Sequence, residues 1–482
     1  MKRIAFVVVN IALVATLVVA LVQLDFGSAR GVKRIPLAGS DAFIRGDSNA
    51  DGSVDIADPL FTLEYLFTGG DAPDCLAAAD ADDSAALDLT DGIYTLAFLF
   101  LGGPPPPAPH PVAGSDPTPD LGCRGPALPP LPAVGSPGGP DRTLTAAEAL
   151  SWRRGRALFV QPTAVAQGLG PLFNGDSCRS CHLDPAFGGA GGLDLSVVRY
   201  ARRDENGALH AAPGGPAASR QSLLSFPRDE IPPEANVIET RQTPSAFGLG
   251  LVDEVPDAEI LSAADPDDAD GDGISGRARI VNGRAGRFGH KCGVPTLNDF
   301  TADALFNEVG LTIDASLSAF ATSSDMDNTP DPELSESDFR DLVFFVSRIA
   351  PPARRLPVDA AGIKRLQDGE DLFRGTGCGA CHRPSLAGPR GPVGAYADFL
   401  LHDVADPSLH QVDEPGVAPR EFRTSPLWGV RDTGPYLHDG SAETLEEAVS
   451  KGHFGEASAS RTAFLDLPLD ERAKLVEFLE SL

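Results

Sequence analysis

The sequence predicts a mainly α-helical chain in which one helical unit occurs twice, behind a small module of paired loops and helices. Three observations predict it. The run Cys-x-x-Cys-His occurs at 178–182 (CRSCH) and again at 378–382 (CGACH). A helix-like stretch with Gly-x-x-Leu-Phe precedes each run (Gly155, Leu158, Phe159; Gly369, Leu372, Phe373), and one apolar helix pattern ends each half. Upstream, residues 41–101 repeat an Asp-rich loop followed by an apolar helix.

The duplicated run carries chemistry. Two thiols one helical turn apart can each form a thioether to one vinyl group of a porphyrin, and the next residue, a histidine, then lies under the ring as proximal ligand. Cys178 and Cys181 therefore predict attachment of one haem c with His182 axial; Cys378, Cys381 and His382 predict a second. A lone Cys-x-x-Cys would equally suit a redox dithiol or half a zinc site. The closing helices, ELSESDFRDLVFFVSRI (333–349) and DLPLDERAKLVEFLESL (466–482), align so that Leu342, Val343, Phe345, Val346 and Ile349 match Leu475, Val476, Phe478, Leu479 and Leu482. A small residue at Gly155 and Gly369 lets the closing helix cross closely. Each half thus has the layout of a class I cytochrome c fold, in tandem over 142–350 and 351–482. The first copy carries a long insertion between its haem and its last helix. Its first helix should start at Thr145, with Glu148 completing a capping box.

Seven cysteines sort readily. Four belong to the haem runs. Cys75 and Cys123 flank the N-terminal module and are expected to form a disulfide; Cys292 remains as a buried, inert thiol. Residues 1–35 open with Lys2 and Arg3 before an apolar run from Ile4 to Leu24, read as a signal peptide or an N-terminal membrane anchor. Either places the rest outside the cytoplasm, periplasmic or at the cell surface, tethered to the inner membrane if uncleaved. A net charge of −29 argues against nucleic acid or anionic membrane surfaces as partners. Residues 102–141, rich in Pro and Gly, read as an extended linker with His110 solvated.

The loops at 41–101 have calcium-ligand spacing. Asp47, Asn49, Asp51, Asp55 and Asp58 fall at positions 1, 3, 5, 9 and 12 of an EF-hand loop, with Gly52 at the sharp turn and the Ser53 carbonyl at position 7. The second loop offers Asp80, Asp82, Ser84, Asp88 and Asp91, but Ala85 stands where Gly is expected. The helices that follow expose apolar faces, Leu60, Phe61, Leu63, Leu66 and Phe67, then Ile93, Leu96 and Phe98 to Leu101. The pair resembles dockerin modules, which implies docking to a partner domain; a calcium-stapled spacer is the plainer alternative. A third run, Asp268, Asp270, Asp272 and Gly273, begins like a calcium loop but lacks an acid at position 12.

Residues 142–482 resemble the di-haem c-type oxidoreductases, a family labelled thiol oxidoreductase and related to bacterial di-haem cytochrome c peroxidases. The resemblance rests on GLGPLFNGDSCRSCH (168–182), RQTPSAFGLGLVDEVPD (241–257), DPDDADGDGISGR (265–277), GRFGHKCGVPTL (286–297) and TSPLWGVRDTGPYLHDGSAETLEEAV (424–449). It implies that the distal ligand of the second haem follows the last stretch, where KGHFGE places His453. Met326, the one Met besides Met1, lies in a polar loop, which disfavours a His/Met haem. For the first haem the candidates are His290, where the family has Trp, and His210. By resemblance Arg241, Gln242 and Glu254 are candidate acid/base and polar groups, with a structural ion pair as the alternative for Arg241 and Glu254. His438 and Tyr436 should lie near the second haem, His438 bonding a propionate or backbone. The expected function is an exported di-haem enzyme of cytochrome c peroxidase type. It would take electrons from a small redox protein or a quinol-linked donor and pass them from haem to haem to a peroxide-like acceptor. Two rivals are a pure electron carrier with both irons six-coordinate, and a scaffolded component recruited through residues 41–101.

Overall fold

The computed structural model describes residues 42–50, 52–68, 73, 75–115, 117–118, 131–210, 217–223, 230–325, 327, 329–409, 411–412 and 414–482. The expectations on residues 1–35, Asp51, Cys123 and Met326 lie outside them. No helix among the described residues is long and apolar enough to cross a membrane. The chain divides into two compact units, Met1–Leu128 and Pro129–Leu482.

In the first unit β1 (Ala42–Phe43) pairs antiparallel with β2 (Gly114–Ser115). Between them lie α1 (Ala57–Thr68) and α2 (Leu89–Leu101). Asp88 caps α2 through Thr90 N, and the Asp91 carboxylate returns to the Asp88 backbone, closing a capping box. Gly92 admits α1, because a Cβ there would lie 3.0 Å from Leu63 Cγ. The linker does not begin at 102. Residues 103–115 turn back onto the module: Arg45 N donates to Pro109 O at 2.6 Å, and the His110 ring meets Phe98 edge-on at 5.3 Å. His110 is therefore half-buried, not solvated; its ring packs on Phe98 of α2, and Pro106 and Pro109 are buried while Pro104 and Pro105 stay exposed. The two helices are too few to cover their apolar faces, and Phe67, Ile93, Phe100 and Leu101 stay exposed.

The second unit is organised by α3 (Ala146–Val160), α4 (Leu297–Ala304), α5 (Glu336–Ser347), α6 (Ala360–Gly375), α7 (Leu445–Gly452) and α8 (Leu469–Glu480). Thr145 and Glu148 form the expected capping box at the start of α3. The duplication is literal at the helix crossings. A Cβ on Gly155 would lie 1.9 Å from Asp341 O and 2.7 Å from Phe345 Cβ; one on Gly369 would lie 2.1 Å from Lys474 O and 2.9 Å from Phe478 Cβ. Asp341 and Phe345 are the residues that the sequence alignment matches to Lys474 and Phe478. One turn on from each glycine an aromatic ring packs on that Phe: Phe159 on Phe345 at 5.2 Å, Phe373 on Phe478 at 5.3 Å.

The insertion folds as a small sheet and loops. β3 (Val197–Arg203) pairs antiparallel with β4 (Val237–Arg241), Val197 opposite Arg241. Farther on, β5 (Leu401–Asp403) pairs with β6 (Glu421–Arg423) in the second half. The insertion also joins the halves. Arg277 and Leu401 exchange backbone hydrogen bonds at 2.9 Å, and Trp428 Nε1 donates to Phe247 O at 3.0 Å.

Candidate haem and calcium sites

Both Cys-x-x-Cys-His runs form a single tight turn after a crossing helix, with His182 N bonded to Cys178 O and His382 N to Cys378 O. Burial pushes the Cys178 thiol up to about 12 and raises Cys181 and Cys378. A redox dithiol needs a lowered thiol pKa, so these sulfurs do not suit one.

The axial histidines are set by main-chain carbonyls. His182 Nδ1 donates to Gly189 O at 3.1 Å, and His382 Nδ1 to Tyr396 O at 2.9 Å. Bonding at Nδ1 fixes the tautomer and leaves the Nε2 lone pair for a metal. Burial holds His182 and His382 neutral, His382 down to about 4 with His453 adding to the effect. His453 has the same arrangement, Nδ1 donating to Ala448 O at 3.1 Å.

The His382 and His453 rings stand 6.5 Å apart, centroid to centroid. An imidazole nitrogen about 2.0–2.1 Å from a first-row metal puts its ring centroid about 3.2 Å away, so two imidazoles on opposite sides of one metal have centroids about 6.3 Å apart. The observed spacing fits one iron between them. The Gly-Glu pair after His453 has a clear task. Gly455, at φ +49°, packs where a Cβ would lie 2.1 Å from Asp403 O. Glu456 accepts from Asp403 N (3.1 Å) and from Ser275 N and Oγ (3.0 and 2.9 Å), pinning the loop to β5 and the insertion.

Sequence reasoning missed His402. It lies on β5 with Nε2 3.0 Å from Asp398 Oδ2, Nδ1 2.9 Å from Glu456 Oε2, and the Cys381 sulfur at 3.7 Å. Burial works against its charge, but the bonds to Asp398, Cys381 and Glu456 outweigh it and drive the imidazolium up to about 12. Glu308 was also missed. Its Oε2 accepts from Asn174 Nδ2 at 2.8 Å, burial raises its carboxyl, and its charge is felt at both Cys178 and Cys181.

Several expectations need correction. His210 sits on a surface hairpin, its Nε2 2.8 Å from Asp204, and is no ligand. His290 is half-buried and held neutral at about 3 by burial and by Arg241; its Nε2 is bonded to Gln242 O at 3.1 Å, which leaves Nδ1 as its ligating nitrogen. Glu254 is paired with Arg390 (2.7 Å) and Arg348 (2.9 Å), and Arg241 with Glu239 and Glu414 (2.7 Å each). Both are structural ion pairs and not free acid/base groups; burial opposes the Glu414 charge, yet Arg241, Arg279 and Arg199 hold it at about 2. Gln242 is a connector, its Nε2 donating to Gly191 O and its N to His438 O, each at 2.8 Å. His438 stacks on Phe422 at 4.0 Å and accepts from Gln411 Nε2 at 3.1 Å, so its ring bonds a side chain, whereas its backbone meets Gln242. Tyr436 is half-buried among the apolar side chains around Phe373 and Phe478. Cys292 is buried, as expected, with its thiol pushed up to about 12.

The two Asp-rich loops of the first unit are built alike. Gly52 N donates to Asp47 and Ala85 N to Asp80, position 6 to position 1. Asn49 N and Asp55 N reach Asp58, as Asp82 N and Asp88 N reach Asp91, positions 3 and 9 to position 12. Ala85 replaces Gly and still takes φ +66°, a conformation that costs an L-residue about 1–2 kcal/mol. Ligand oxygens of Asp80, Asp82 and Asp91 lie within 4.8 Å of one another, and Asp82 Oδ1 has no hydrogen-bond partner. Cys75 is disulfide-bonded. In the third run the gathered carboxylates are Asp265, Asp268 and Asp270; Asp272 turns away to accept Ile274 N, and Asp265 takes its place.

A pair of like helical units, each with a Cys-x-x-Cys-His turn and a neutral histidine, fits a di-haem protein. The family described as “di-haem oxidoreductase, putative peroxidase” matches residues 234–482, and the chain belongs to it. The cytochrome c551 peroxidase of Nitrosomonas europaea is 33% identical over 118 residues, 24% of this chain and 33% of that protein. The chain thus spans about a third of that relative's length in the match. Among solved structures, a MauG-like protein associated with microbial copper homeostasis is similar at 19% identity, over 73% of this chain and 94% of that one, with a TM-score of 0.37. Kuenenia stuttgartiensis hydrazine synthase is similar at 15% identity, over 73% and 96%, with a TM-score of 0.34.

Proposed function

We propose that the chain is an exported di-haem c-type oxidoreductase that relays electrons through a closed second haem to a first haem open to a peroxide-like oxidant. Haem supplies one-electron chemistry and an iron that can take a small ligand. Cys178 with Cys181 and Cys378 with Cys381 would hold the two groups covalently, with His182 and His382 proximal. The observation that carries the reading is the 6.5 Å pairing of His382 and His453. It supports a bis-histidine carrier at the second site, whereas His210 is held at the surface by Asp204 and the His290 ring is tied through Nε2 to Gln242 O. Reducing a peroxide also needs a proton at the leaving oxygen. Glu308, half-buried and with its carboxyl raised by desolvation, is suited to hold it beside Cys178 and Cys181. The electron donor would be a small redox protein or a quinol-linked carrier. Residues 41–101 act as a calcium-loaded docking module, a reading supported by the matched loop bonds and by exposed Phe100 and Leu101. Deleting them should release the protein from its complex, and unchanged partitioning would end that part of the reading.

The test is an optical and EPR spectrum of the haem-loaded protein, oxidised and half-reduced, before and after peroxide. A high-spin signal that responds to peroxide is expected at one haem only. Two low-spin haems indifferent to peroxide in both states would leave a pure electron carrier.

A further inference from the structure

Between α4 and α5 the chain gathers three carboxylates that neither haem uses. Residues 311–313 run buried after Gly310; Ile313 N donates to Thr322 O at 3.0 Å and Leu334 N to Thr312 O at 3.3 Å. Later parts of the same segment thus close around Thr312, which is fully buried. Carboxylate oxygens of Asp325, Asp331 and Glu333 there lie within 4.8 Å of one another. Thr312 N donates to Glu333 Oε2 at 2.8 Å, and its hydroxyl donates to Asp331 Oδ1 at 2.7 Å with Glu333 also in reach.

Those bonds leave two oxygens over. Asp325 Oδ2 and Glu333 Oε1 are buried and accept no hydrogen bond. Asp325 is 6% exposed, and its other oxygen takes Asp327 N at 3.0 Å. The neighbouring charges are of the wrong sign: Asp327 and Asp331 act on Asp325, and Asp325 on Glu333. A buried carboxylate oxygen with neither donor nor cation is costly, so its surroundings ask for a positive charge. A hard divalent ion fits this donor set. Calcium takes six to eight oxygens at 2.3–2.6 Å, which separates two of its ligands by at most about 5 Å.

We infer that Asp325, Asp331 and Glu333, with the Thr312 hydroxyl oxygen, form a calcium site that staples the segment joining α4 to α5. The staple reaches toward the first haem run. A Cβ on Gly168 would lie 2.0 Å from Glu333 Cγ, and one on Gly310 would lie 2.5 Å from Gly170 O. The loop 168–171, just ahead of CRSCH, therefore rests on the stapled segment.

The test measures calcium per chain in the full-length, haem-loaded protein after equilibrium dialysis at micromolar free calcium. Wild type is compared with Glu333→Gln and Asp331→Asn, folding being checked by far-UV circular dichroism. The N-terminal loops are the same in all three proteins, so the difference does not depend on whether those loops bind. One ion fewer per chain in either folded variant is the expected result. Equal content in wild type and both variants would overturn the site and leave a proton shared among the carboxyls. Should Glu333→Gln not fold, Asp331→Asn decides alone, since Asp331 is exposed.

Discussion

Replacing Gly369 with Ala sets a favourable local effect against an unfavourable packing effect, and the distances decide the sign. In an exposed helix the change should stabilise by about 0.8–1.0 kcal/mol. Here the new Cβ would lie 2.1 Å from Lys474 O, 2.9 Å from Lys474 C and 2.9 Å from Phe478 Cβ. Two carbons at rest stand about 3.5–4.0 Å apart, so α6 and α8 must part by about an ångström or more, and the Phe373–Phe478 contact opens with them. Overpacking of this kind costs about 1–3 kcal/mol, and the obstacle here is backbone that cannot rotate away, so the upper end or beyond applies. A net loss of about 2–3 kcal/mol follows, lowering the apparent Tm by about 3–4 °C for a unit the length of Pro129–Leu482. The assay is thermal unfolding of the haem-loaded protein, followed at the Soret band. Gly375→Ala at the end of the same helix is the control, since a Cβ there meets nothing within 4 Å. A Gly369→Ala protein as stable as the control would refute the crossing, and with it the literal duplication.

His453→Ala should convert the second haem from low-spin to high-spin in the EPR spectrum while leaving the first unchanged; an unaltered low-spin signal would remove His453 as a ligand. Glu308→Gln should slow peroxide reduction by about 10²–10⁴-fold, the usual share of a general acid, with both haem spectra intact; wild-type turnover would exclude it as the proton source. His402→Leu leaves Asp398 and Glu456 buried without their cation and should cost about 3–5 kcal/mol in thermal unfolding; no change would mean the pair is solvated. Burial raises Asp91 from 3.8 to about 7, with Asp82 and Asp80 adding repulsion. In calcium-free protein its contribution is therefore present below pH 3.8 and lost as pH rises through about 7. Amide-exchange protection of 76–101 should fall across that window and return with calcium, and protection that rises with pH would contradict the assignment.

The helix crossings were legible because the chain contains its own comparison. Gly155 and Gly369 sit at one position of a repeat, and close approach is the physical demand that glycine meets there. His453 was reached only through the family resemblance, which places a distal ligand after residues 424–449; the packing of Gly455 and Glu456 against Asp403 had no signal in the sequence. For Glu254 and Arg241 the choice between acid/base group and ion pair stayed open, because the two look the same in sequence. Their partners Arg390 and Glu414 lie over a hundred residues away. Glu308 and His402 carried no local signal, because each becomes relevant only when the insertion and β5 bring it beside a cysteine. His110 was misjudged because proline content signals extension only where no apolar side chain stands near, and Phe98 stands beside its ring.

All three assigned axial imidazoles lean on main-chain carbonyls, those of Gly189, Tyr396 and Ala448. A carboxylate in that place would titrate, and would pull the imidazole toward imidazolate, strengthening its donation to the metal. A peptide carbonyl does neither. Were haems held there, the ligand field at each iron would be insulated from titration at the imidazole partner, although the chain carries a net charge of −29. In that case the driving force for moving an electron between the irons should depend little on the protonation of the ligands' partners, and should stay level across a pH range in which the protein's many surface carboxylates change their charge.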